Sequence, residues 1–110
     1  MKYALLIHGG TDWDSLSEAE QRAMYEEYMD ISNAASTYGG AELQGVDVTT
    51  TVRVRGGDVL TADGPYAETK EVLGGLFLVE VDNLDDAIAI AARIPAAREG
   101  AVEVRPVVEH

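Results

Sequence analysis

Two stretches of this chain carry helical periodicity, and apolar strand-like runs flank both; that alternation restricts the fold more than any other feature. The first stretch opens at Ser17, which forms a capping box with Glu20, each residue able to satisfy a backbone N–H of the other. Behind it Met24, Tyr28, Ile31, Ala35 and Tyr38 recur at helical spacing and predict one apolar stripe on a helix of about six turns. Gly39-Gly40 is expected to end that helix, glycine taking the left-handed conformation readily. The second stretch is capped by Asn83, turns Leu84, Ala87, Ile88 and Ala91 inward, and stops at Pro95.

Around these helices lie the strand candidates. Tyr3 to His8 is apolar on both faces and reads as an interior strand. Ala41 to Val46, Thr50 to Arg55, Val59 to Ala62, Leu76 to Val81 and Val102 to Val108 follow. Gly56-Gly57 suits a primed two-residue hairpin turn, in a register that sets Val54 opposite Val59 and Arg55 opposite Asp58. The predicted order is β-α-β-(hairpin)-β-α-β, an α+β fold of ferredoxin-like plan with an antiparallel sheet, in a single domain over residues 1–110. Two helices cover only one face of such a sheet, and the other face still carries apolar residues. The expectation is a homodimer with the two sheets face to face around a barrel-like interior.

Composition removes several classes of function. The formal charge is −12, from 8 Lys and Arg against 20 Asp and Glu, which opposes nucleic-acid binding. With no cysteine there is no disulfide framework, thiolate zinc site or cysteine nucleophile, and a reducing cytoplasm is the natural location. The run Met1 to His8 is too short for a signal peptide or a membrane span. One internal histidine and scattered carboxylates have no metal-ligand spacing, no phosphate-binding loop is present, and a serine triad lacks partners. The reading therefore assigns no metal and no cofactor.

One segment is unusually dense in polar groups for a strand connection: Asp63-Gly64-Pro65-Tyr66-Ala67-Glu68-Thr69-Lys70-Glu71, followed by Gly74-Gly75. Together with Met1-Lys2-Tyr3, Thr51-Val52-Arg53-Val54-Arg55, Val81-Asp82-Asn83-Leu84-Asp85-Asp86-Ala87 and Val102-Glu103-Val104-Arg105-Pro106, it closely resembles the DGPF branch of the YCII-related proteins, with Tyr66 in place of the usual Phe. The resemblance covers nearly the whole chain and implies a dimeric α+β barrel. In the wider group a His–Asp pair near a cleft has been proposed as the active site, with the histidine on the first helix. No histidine lies between Ser17 and Tyr38, so that residue does not carry over. The DGPF branch is often encoded beside extracytoplasmic-function sigma factors, which implies a regulatory protein partner as an alternative role.

The candidate catalytic residues are His8 and Asp63. His8 ends the first strand, where such barrels place cleft residues, and an imidazole titrates near neutral pH. The plainer alternative is a strand-end histidine bonded to backbone or water. Asp63 is a partner for His8 or simply closes its own turn before Gly64 and Pro65. Candidate substrate contacts are Trp13, as a pocket wall or a loop pin; Tyr66, as a phenol donor or a packed ring; and Lys70, as an anion contact or one more solvated charge. Arg53 and Arg105 complete the set. Alternation sets Arg53 with Arg55 on one strand face and Glu103 with Arg105 on another, giving either a polar floor for an anion or ordinary cross-strand pairs. The first functional reading is acid–base chemistry on a small organic molecule in a cleft of the dimer; the second is a non-enzymatic ligand-sensing or regulatory module.

Overall fold

The computed structural model describes residues 1–66 and 71–110. The main sheet has four antiparallel strands in the order β2 (Thr37–Glu42), β5 (Leu73–Glu80), β1 (Lys2–His8) and β6 (Ala101–Pro106). Helices α1 (Glu18–Ser32) and α2 (Leu84–Ala91) link β1 to β2 and β5 to β6. This is the ferredoxin-like α+β plan, with a separate hairpin of β3 (Thr50–Arg55) and β4 (Asp58–Asp63) inserted between β2 and β5. β1 is interior, paired on both sides, which explains its unbroken apolar run.

The core occupies one side of the sheet. Tyr3, Leu5 and Ile7 of β1 and Val79 of β5 point to the helices and are buried against Ile31, Ala87, Ala91, Ile94 and Ala96. The small alanines on α2 let that helix approach the sheet closely, and Tyr28 stacks on Phe77 at 6.5 Å between centroids. Glu27 on α1 grips the Arg98 guanidinium through two hydrogen bonds of 3.0 and 3.1 Å, tying α1 to the turn after α2.

The capping box forms as expected: the Glu20 backbone N–H donates to Ser17 Oγ at 3.1 Å and the Ser17 N–H donates to Glu20 Oε1 at 3.0 Å. The end of α1 differs from expectation. The helix stops at Ser32 after 15 residues, about four turns, and Thr37 Oγ1 donates back to the Ile31 carbonyl at 2.7 Å. Ala35 and Tyr38 are therefore not helical, and Gly39-Gly40 lies inside β2, so the second strand runs over Thr37–Glu42 rather than Ala41 to Val46. Those glycines serve strand contact: a Cβ on Gly40 would meet the Leu76 carbonyl oxygen at 2.8 Å and the Phe77 ring at 3.1 Å. Asn83 caps α2 through the Asp86 N–H at 2.9 Å. Ala87 and Ala91 are buried as expected, but Leu84 and Ile88 sit half-exposed on the outer side of α2. The hairpin register has Val54 opposite Val59 and Arg55 opposite Asp58, with φ of 57° at Gly56 and 83° at Gly57, the values a primed turn requires.

Candidate functional site

Strand alternation sorts the side chains of the sheet into two sets. The face away from the helices carries Ala4, Leu6 and His8 on β1, Leu76 and Leu78 on β5, and Glu103 and Arg105 on β6. It is an apolar floor with a polar edge. In the register Leu6 lies opposite Glu103 and His8 opposite Ala101, so Glu103 is the diagonal neighbour of His8. The two side chains meet: His8 Nε2 is 2.5 Å from Glu103 Oε1. That nitrogen is buried, with the Glu103 carboxylate against it. The His8 side chain stays 23% exposed through its other atoms. Arg105 Nη2 lies 3.8 Å from Glu103 Oε2, extending the polar edge to a cation.

Backbone packing fixes where this edge sits. The N–H of Gly9 donates to the Val72 carbonyl at 3.0 Å, holding the end of β1 to the chain that returns from the hairpin. Gly100 lies so close to the His8 carbonyl oxygen and the Gly10 nitrogen that a Cβ would collide with both. The His8 end of the sheet is also the end from which the hairpin leaves, since β2 finishes and β5 begins there.

Asp63 closes β4 opposite Thr50 and is exposed. It makes no ion pair with His8 among the described residues; the carboxylate beside His8 belongs to Glu103. The turn around Asp63 is held by backbone, with the Gly64 N–H on the Thr49 carbonyl at 2.9 Å and the Thr51 hydroxyl on the Gly64 carbonyl at 2.7 Å. Arg53 and Tyr66 do come together, the guanidinium 4.9 Å from the ring centroid, in an exposed cation–π contact on the hairpin. Lys70 lies outside the described residues. Trp13 stands in a short helical turn over Trp13–Ser15, and its carbonyl accepts from Gln21 Nε2 at 3.0 Å.

Trp13 belongs to a different concavity. On the helix side a cleft of about 1080 Å³ opens between α1 and β2, lined by Trp13, Met24, Tyr28, Tyr38, Leu43 and Phe77 among others. Burial pushes the Tyr28 phenol above the usual tyrosine value. Ile7 lines this cleft and His8, pointing the other way along β1, does not. The sheet thus divides the predicted site residues: His8 and Arg105 on the open face, Trp13 on the helix side, Arg53, Asp63 and Tyr66 on the hairpin. Glu103, which the sequence placed only as part of a polar strand face, is the residue that joins His8. The signal for it is the β1–β6 register, which the alternation in Val102 to Pro106 carries once the two strands are paired.

An antiparallel sheet with two helices on one face and ionisable groups on the other defines a small α+β domain of ferredoxin-like plan. The YCII-related domain family matches residues 1–110, and the chain belongs to that family. It is also similar to the uncharacterized protein R00369 of Rhizobium meliloti (strain 1021), 41% identical over 58 residues. That alignment takes in 51% of this chain and 47% of the relative, so it spans about half the length of the curated protein it matches. No helix among the described residues is long and apolar enough to cross a membrane.

Proposed function

We propose that this chain is a small cytoplasmic homodimer of the DGPF branch, with its two open sheet faces opposed, that performs acid–base chemistry on a small organic molecule held over His8. The observation that carries this reading is the buried Nε2 of His8 beside the Glu103 carboxylate, at the edge of an otherwise apolar sheet face. The His8 ring lies against a carboxylate, the arrangement that orients an imidazole while it takes or gives a proton. Leu6, Leu76 and Leu78 give a floor for the apolar part of a substrate. Arg105, largely exposed in one copy, supplies a cation for a carboxylate or an enolate oxygen. In this reading Glu103, and not Asp63, is the partner of His8 within one chain.

A panel of small carbonyl acids incubated in D2O tests it, because proton abstraction beside a carbonyl appears as deuterium incorporation without a known product. Catalysed exchange is expected with at least one class, falling about 10²–10⁴-fold in His8→Ala, the usual contribution of a general base. Exchange that His8→Ala leaves unchanged would remove the histidine from the chemistry. A stoichiometric protein partner retained from extract by the same variant would instead support the regulatory-module reading.

A further inference from the structure

The β3–β4 hairpin makes no use of the core. Alternation gives it two unlike faces. One carries Val52, Val54 and Val59, which are 60%, 59% and 68% exposed, with Thr50, Thr61 and Asp63 around them. The other carries Arg53, Arg55 and Asp58, with Leu60 and the Tyr66 ring. An isolated two-stranded hairpin is marginal in water, and it persists when one face is covered. Here three β-branched side chains, two of them directly opposite each other, are left to solvent.

The molecule as a whole carries the same signature. Its accessible surface is 7720 Å², whereas a compact monomer of this mass exposes about 5,900 Å². The excess, roughly 1,800 Å² per chain, is about twice the 800 Å² that each partner buries in a standard interface and falls in the range of obligate pairs. The radius of gyration is 16.0 Å, against about 13 Å for a compact chain of this length. Charge narrows the choice of occupant. Arg53 and Arg55 balance Asp58 and Asp63, so residues 50–63 have no net charge, and the remaining residues carry all of the −12. The hairpin carries no net charge for the acidic surface of a second copy to repel.

We infer that the hairpin is an exchanged arm: its Val52–Val54–Val59 face packs on a second copy of this chain, against that copy's open sheet face at Leu76. The arm then walls the site around the partner subunit's His8, whose side chain is 23% exposed in a single chain. This rests on the homodimer reading above and adds to it the element that closes the site.

Val54→Asp and Val59→Asp, each checked for folding by circular dichroism, are compared with the unmodified chain by sedimentation velocity. The dimer dissociation constant is expected to rise at least about tenfold in both. A monomeric unmodified chain overturns the homodimer reading and the arm with it. A dimer that both substitutions leave unchanged overturns the arm alone. The absence of cysteine makes cross-linking a clean second test that does not depend on the charged variants folding. Val54→Cys chains mixed with Leu76→Cys chains and treated with a short bismaleimide are expected to give a covalent heterodimer. A band from Val54→Cys chains alone, hairpin on hairpin, would overturn the docking site.

Discussion

His8 owes its position to two backbone constraints. Alternation along β1 turns it away from the core that Tyr3, Leu5 and Ile7 build, and the tight approach of Gly100 fixes the carbonyl behind it. Any side chain at position 100 must push either the end of β1 or Gly10 aside. Gly100→Ala is therefore expected to destabilise the fold by about 1–3 kcal/mol, the usual range for overpacking, and to lower the thermal midpoint by several degrees. An unchanged midpoint would mean that the end of β1 yields freely and does not hold the imidazole. Glu103→Gln keeps the size of the side chain and removes its charge. It is expected to leave the fold intact and to slow His8-dependent exchange about tenfold, a smaller loss than His8→Ala gives; a variant as active as the unmodified chain would make Glu103 a bystander.

The elements that position these residues differ in what holds them. α1 is fixed at its start by the capping box and along its flank by the Glu27–Arg98 bridge. Ser17→Ala is expected to cost about 1 kcal/mol, read as a shift in the denaturant midpoint with an unchanged slope. Backbone and side-chain hydrogen bonds with Ser17 hold the Glu20 carboxyl below its ordinary value, and the hydrogen bond from Arg98 does the same for Glu27. A carboxyl depressed in the folded state adds stability above its unfolded value, about pH 4.3, and that contribution disappears as pH falls through the folded value. Both groups are well exposed, so the effect is modest: Glu27→Gln is expected to flatten the acid limb of the stability curve slightly and to leave the region above pH 6 nearly parallel. Where the sequence was legible, a local rule decided the outcome: the capping box, the Asn83 cap, and the hairpin register set by Gly56-Gly57. It misled where one residue type serves two purposes. Gly39-Gly40 reads as a helix stop, but these glycines let β2 lie against β5, and the helix had already ended at the Thr37–Ile31 bond. Leu84 and Ile88 read as core from spacing alone, yet the chain has no further layer outside α2. The meeting of His8 and Glu103 depends on a strand register across 95 positions of sequence, which neither residue announces by itself.

At the scale of the whole molecule, a thin, two-layer body of 45 × 42 × 20 Å carries an apolar sheet face and a valine-faced hairpin, with acidic charge over the rest. Burial of apolar surface favours pairing of two copies, and the −12 charge on each opposes it. Salt reduces the repulsion without weakening the burial. Raising ionic strength from about 0.02 M to about 0.3 M is therefore expected to tighten the dimer, read as a falling dissociation constant; a rising one would point to an interface held by ion pairs. In the proposed dimer the face bearing His8 and Glu103 is the inside of the pair. Sedimentation equilibrium of the unmodified chain decides whether that pair forms. A mass twice 11.8 kDa is expected at low micromolar concentration, with Leu6→Asp on the open face reducing it to the single-chain value. A single-chain mass persisting to about 100 μM would overturn the paired arrangement.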